Sequence, residues 1–199
     1  MTTDSTIART PEVAPLPRSR PRARIALVGL AAVGLAALAG AAFMQPVPRL
    51  IYNPSDSVPV GWYRVKPFPH PSGSLPLRLD VDSIVLAQLP ADASALAAQR
   101  GYLPAHIPLL KRVGAVAPQH VCIIAGQVRI DGVPVAAALP ADRLGRPLPS
   151  WPHCRPLLED ELFLLSATHP ASFDSRYFGP VSASAVIGVA RPIWHKAQP

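Results

Sequence analysis

Read as a pattern of apolar and polar positions, the chain falls into two unlike parts. Residues 25–44 (IALVGLAAVGLAALAGAAFM) are twenty consecutive positions without a charge or a proline. As a helix they would be about 30 Å long, the thickness of a bilayer's hydrocarbon core. After Gln45 the apolar residues come in short clusters broken by proline and glycine. The segments 62–65, 83–87, 109–116, 121–124, 127–130, 161–165 and 185–190 read as strands, and Asp131-Gly132 as a tight turn. Only 91–100 (ADASALAAQR) has helical composition beyond the apolar run, and it stops at Gly101. Residues 46–53 read as a connector, 67–73 as a loop and 138–156 as a proline-rich excursion. No internal repeat is present. The expected fold is mostly β: one exported domain held by one N-terminal transmembrane helix.

Composition supports this division. Prolines number 26 and aromatics only 6% of residues, whereas apolar residues make up 49%. Proline at that density interrupts helices and favours strands and loops. The net charge of +7 would permit a nucleic-acid partner, but its distribution excludes one. Residues 1–24 hold Arg9, Arg18, Arg20, Arg22 and Arg24 against Asp4 and Glu12, and the rest is spread thinly, with no basic stripe or interleaved aromatics. The arginine- and proline-rich tail 1–24 reads as disordered, the apolar run 25–44 as the transmembrane helix, and 45–199 as the exported domain. Arginines before the span place the N-terminus in the cytoplasm, so the domain lies across the inner membrane, in the periplasm. The competing reading is a signal peptide cleaved near Ala39-Gly40-Ala41. The apolar run is longer than the usual ~7–15 residue core of such peptides, which favours an anchor.

Several side chains could carry chemistry. Ser55 and Ser57 sit in NPSDSVPVGWYRV, a loop stiffened by Pro54 and Pro59. In the strand LLKRVGAV, alternation puts Lys111 on one face with Leu109 and Val113, while Arg112 points away. A lysine desolvated among apolar neighbours loses basicity and can serve as the general base that a serine nucleophile requires. Taken alone, the same position suits a lysine extending its ammonium to water at a strand edge. The histidines (70, 106, 120, 153, 169 and 195) show no metal-ligand spacing, so no metal and no cofactor are expected. His169, five residues before Asp174, offers weaker grounds for a Ser-His-Asp triad than Lys111 does for a Ser-Lys pair. Cys122 and Cys154 are the only cysteines; in an oxidising compartment they would form one disulfide, the alternative being two buried thiols.

Three motifs in order after a single anchor, S-x-S-x-P-x-G-x-Y at 55–63, LLKRVGAV at 109–116 and SFDSRYFGP at 172–180, resemble the signal peptidase I superfamily. Within it they look most like the TraF-type peptidases of conjugative transfer systems. The resemblance implies a mostly antiparallel β catalytic domain. It assigns Ser57 as nucleophile, Lys111 as general base, Ser55 as an oxyanion-hole donor with the Ser57 amide, and Ser172 as the serine that holds the lysine amine. Asp174 and Arg176 match supporting acidic and basic residues. It further implies a serine endopeptidase acting on an exported precursor, the conjugative pilin, at the membrane and among type IV secretion components. A general type I signal peptidase and an inactive scaffold of a pilus assembly are the alternatives. The chain departs from the pattern with Val58 for the usual methionine, Ala117-Pro118-Gln119-His120 for Pro-Gly-Asp, and Ser166-Ala167-Thr168-His169 before the last motif. Read on its own, SFDSRYFGP is a β-turn in which Asp174 caps local amides and pairs with Arg176.

Overall fold

A computed structural model describes residues 21–43, 49–67 and 79–195 of the chain. Most of the basic tail, and the loop after Pro67 with His70, lie outside the described residues. Two units are distinguished, Met1–Pro46 and Val47–Pro199. In the first, helix α1 runs Pro21–Phe43, beginning four residues before the uncharged run and taking in Arg22 and Arg24. Pro21 fits the first turn of a helix, where its missing N–H would have no intrahelical partner. Residues 21–40 are exposed throughout, and the segment is long and apolar enough to cross a membrane.

The second unit is built on two antiparallel sheets. Strands β1 (Leu50–Asn53), β2 (Gly61–Pro67), β3 (Ile84–Ala87), β4 (Leu109–Val116), β9 (Glu161–Leu164), β10 (Val181–Ser182) and β11 (Val186–His195) form the larger, in the order β1-β2-β11-β3-β4-β9-β10. The smaller has the order β7-β6-β5-β8, from β5 (His120–Ile124), β6 (Gln127–Ile130), β7 (Val133–Ala137) and β8 (Cys154–Pro156). Two short α-helices, α2 (Ala91–Gln99) and the single turn α3 (Ser175–Phe178), and a 3-10 turn at Ala183–Ala185 complete the unit. The expected strands are present, and the expected turn at Asp131-Gly132, which joins β6 to β7, has positive φ at both residues, as a two-residue hairpin turn requires.

Five elements differ from expectation, the two-residue β10, paired with β9, among them. The connector ends in β1, which pairs with β2 through Leu50↔Arg64 to Asn53↔Gly61. Strand β7 forms despite Pro134, on the edge of its sheet, where proline is tolerated. The proline-rich excursion contains β8. SFDSRYFGP forms a helical turn rather than a β-turn, with Asp174 as its cap as expected. Its glycine, Gly179, has φ +81 and closes the turn, and a side chain there would meet Trp151 at 2.7 Å.

The apolar run ELFLL is explained by burial on both faces. Leu162 and Leu164 join Val85, Val113 and Val186 on one side, whereas Phe163 and Leu165 meet Val121, Ile123 and Val128 of the smaller sheet on the other. Strand β4 changes register against β9 between Val113 and Ala115, which moves Ala115 into the inter-sheet cluster. Gly114 at that irregularity has no room for a Cβ, which would lie 2.7 Å from the Leu165 Cβ. The glycine of KRVGAV is therefore a packing residue.

Candidate active site

The loop that carries Ser57 is set between two paired strands. β1 ends at Asn53, β2 begins at Gly61, and Asn53 and Gly61 are register partners. Val58 is buried against Tyr63, Val65 and Leu86. The buried Tyr63 donates its hydroxyl to the Pro59 carbonyl at 2.6 Å. These contacts hold the loop and leave Ser57 buried, 8% exposed, with its side chain at the cavity wall. The hydroxyls of Ser55 and Ser57 are 3.0 Å apart, and Ser55 Oγ donates to Asn53 Oδ1 at 2.9 Å.

Lys111 lies on β4 opposite Val85 of β3. Alternation along β4 buries Lys111 and Val113, and Ala115, past the irregularity, is buried between the sheets. The lysine is 3% exposed, so it does not extend its ammonium to water at a strand edge. Burial pulls its pKa from the ordinary 10.5 down to about 8; the carboxylate of Asp174 opposes that shift and the Arg176 guanidinium assists it. Nζ donates to Ser172 Oγ in a buried hydrogen bond.

Asp174 and Arg176 anchor the segment that brings Ser172 to the lysine. The Asp174 carboxylate accepts from Arg176 Nε at 2.8 Å, Arg176 Nη2 at 2.9 Å and the Ser166 amide at 3.0 Å. Arg176 in turn donates to the carbonyls of Ala137, His169 and Ser172 at 2.7, 3.2 and 3.1 Å. One buried ion pair thus ties the 166–172 loop to β7 of the smaller sheet. The unusual Ser166-Ala167-Thr168-His169 segment joins this network through its backbone. Because the Asp174 carboxylate is committed to Arg176, and His169 contributes its carbonyl, no Ser-His-Asp relay forms among the described residues.

Ser55, Ser57, Lys111 and Ser172 line one cavity of about 860 Å³. Its walls are largely apolar, with Leu86, Leu110, Leu139 and Phe173 among them. No hydrogen bond joins Ser57 Oγ to Lys111 Nζ among the described residues: Ser57 is paired with Ser55, and Lys111 with Ser172. The arrangement can offer a hydroxyl, a depressed-pKa amine and a second hydroxyl to one bound group.

Two residues of the site were not singled out from sequence. Asn53 sits at the centre of the serine loop; the Asn-Pro dipeptide marks a turn but does not assign the side chain a task. Ser175 Oγ accepts from the Leu164 amide at 2.9 Å, fastening α3 to β9.

The remaining candidates lie apart. Cys122 and Cys154 are register partners on β5 and β8, joined by a disulfide, with His120 Nδ1 3.4 Å from the Cys122 sulfur. At the departure 117–120, Gln119 closes the turn by accepting from the Val116 amide and donating to Asp131.

Comparison with known proteins places these features in a family. The model described as signal peptidase, peptidase S26, matches residues 22–195. A plasmid transfer protein TraF of Escherichia coli is 32% identical over 180 residues, covering 86% of this chain and 93% of its own. A conjugal transfer protein TraF of Agrobacterium fabrum is 32% identical over 182 residues, 87% of this chain and 96% of its own. A probable conjugal transfer protein TraF of Sinorhizobium fredii is 31% identical over 182 residues, 87% of this chain and 92% of its own. A signal peptidase I of Enterococcus faecalis aligns with 56% of this chain and 96% of its own at 17% identity and a TM-score of 0.34.

Proposed function

The chain belongs to the signal peptidase S26 family, in its TraF-type branch, and we propose that it is a membrane-anchored serine endopeptidase that matures an exported precursor, the conjugative pilin, with Ser57 and Lys111 as its dyad. The observation that carries this reading is a buried lysine amine with a pKa of about 8 lining the same cavity as a loop serine. At pH 7 about a tenth of such amines are neutral, against fewer than about one in a thousand at the ordinary value.

The peptide lies extended along β1, adding to the sheet edge, with its scissile carbonyl at Ser57. Ser57 Oγ attacks the carbonyl carbon as its proton passes to the neutral Lys111 Nζ. The oxyanion takes hydrogen bonds from the Ser57 amide and the Ser55 hydroxyl, donors worth about 3 kcal/mol each in comparable sites. Lys111 then gives the proton to the departing amine, and the peptide C–N bond breaks. Water, or an amine of the substrate, resolves the acyl-enzyme with Lys111 again as base. Ser172 keeps Nζ aimed into the cavity, and the Asp174–Arg176 pair holds Ser172. The arginines preceding the uncharged run 25–44 set the N-terminus in the cytoplasm and the catalytic domain in the periplasm, beside precursors whose apolar leaders share the membrane.

The test is processing of a co-expressed pilin precursor by wild type, Ser57→Ala and Lys111→Ala, read by mass spectrometry of the product. The precursor is trimmed only by wild type if the dyad is correct. The product mass separates hydrolysis from cyclisation, which differ by one water. Normal processing by both variants overturns the dyad and favours an inactive scaffold.

A further inference from the structure

We propose that Asn53 is a positioning residue for the nucleophile and acts through Ser55, an inference that rests on the dyad reading of Ser57 and Lys111. Asn53 is 6% exposed and closes β1 at the mouth of the serine loop. Its amide nitrogen donates to the carbonyls of Ser55 at 2.7 Å, Val58 at 2.9 Å and Pro59 at 3.2 Å. Its amide oxygen accepts from the Ser55 amide at 3.2 Å and the Ser55 hydroxyl at 2.9 Å. One side chain thereby satisfies backbone groups on both sides of Ser57.

The orientation of that amide is dictated by its partners. The three carbonyls can only accept and the Ser55 amide can only donate, so reversing nitrogen and oxygen would break every backbone bond of the set. With Asn53 Oδ1 taking the Ser55 proton, the 3.0 Å contact between the two serine hydroxyls runs from Ser57 to Ser55. Asn53 therefore fixes the rotamer of Ser55, and Ser55 fixes where Ser57 Oγ sits at the cavity. In turnover the Ser55 proton leaves Asn53 Oδ1 for the oxyanion, a rotation of one hydroxyl between two acceptors. The nucleophile loop is thus built around an amide that stores the oxyanion donor in position.

Acetylation of Ser57 by p-nitrophenyl acetate tests this without the natural substrate. The ester carbonyl forms a bond to Ser57 Oγ, p-nitrophenolate leaves, and the serine proton goes to Lys111 Nζ. The rate is followed on the full chain in detergent micelles, by mass spectrometry of the peptide bearing Ser57. Asn53→Ala and Ser55→Ala are each expected to slow it by about tenfold or more, and the double variant to be no slower than the slower single. That non-additivity is the signature of action through Ser55, because collapse of the loop would add its own loss. A wild-type rate for Asn53→Ala, or multiplying losses in the double variant, overturns the proposal. If Asn53→Ala does not fold, Asn53→Asp keeps the acceptor for Ser55, gives up the donors to the three carbonyls, and should retain more than about a tenth of the wild-type labelling rate. A tenfold loss in that folded variant, or failure of both variants to fold, assigns Asn53 to the fold alone. Failure of wild type to label Ser57, or labelling indifferent to Lys111→Met, sinks the dyad reading and this inference with it; Lys111-dependent labelling with Asn53→Ala at the wild-type rate sinks the inference alone.

Discussion

Lys111 Nζ donates a hydrogen bond to Ser172 Oγ, and both side chains are almost wholly withdrawn from solvent. The two residues are 61 positions apart in the chain and come from different elements, β4 and the loop before α3. An amine on a four-carbon stem has many rotamers, and this bond selects one that lines the cavity. Ser172→Ala is expected to lower peptidase activity by about tenfold while altering stability by only about 1 kcal/mol. Processing rates and thermal melts of the one variant check both halves.

The activity should rise with pH through a midpoint of about 8, where Lys111 becomes the neutral base. Asp174 favours the ammonium, so its neutral replacement Asp174→Asn should move the midpoint down. Single-turnover acylation rates across pH 6–10 read the limb directly. A flat profile would rule out titration of Lys111 as its source.

Lys111 is also a stability liability. Its folded pKa lies below the unfolded one, so between about 8 and 10.5 the unfolded chain holds the extra proton. Stability therefore rises with pH across that window, and the full penalty is present below it. Lys111→Met should abolish activity yet stabilise the domain by about 3 kcal/mol at pH 7. The advantage over wild type should shrink toward pH 10, as denaturant titrations at the two pH values would reveal.

Asp174 is fully buried and Arg176 nearly so. Asp174→Ala leaves the arginine a buried cation without its carboxylate, which costs about 3–5 kcal/mol. Lost activity in that variant should be accompanied by a lowered melting temperature. Arg176→Met added to Asp174→Ala should restore part of the stability, and an additive double variant would contradict the pairing.

The Cys122–Cys154 disulfide closes a separation of 32 residues holding β6, β7 and the excursion that lines the cavity at Leu139 and Leu148. In the loop-entropy account its loss removes about 4 kcal/mol. Reduction, or Cys122→Ala with Cys154→Ala, should lower the melting temperature by about 10 °C. Calorimetry with and without a phosphine reductant makes the comparison.

The local rules were legible where neighbours in sequence decide the outcome. An uncharged run makes a helix, and alternation in LLKRVGAV separates Lys111 from Arg112, because side-chain direction along a strand is set by backbone geometry alone. Strands β1, β7 and β8 were not legible. β7 and β8 each carry a proline and β1 is only four residues long, and they become strands because β6, β5 and β2 offer edges to pair with.

By itself, then, the sequence determined the apolar span, the mostly β character of the domain after it, and the residue types and spacing that mark the family. The tertiary structure decided the rest: that Lys111 is desolvated rather than extended to water, that Ser172 meets it, and that Asn53 is the centre of the serine loop. These depend on groups far apart in the chain sharing a low-dielectric cavity, and desolvation is a property of everything packed around a group, which no stretch of sequence contains.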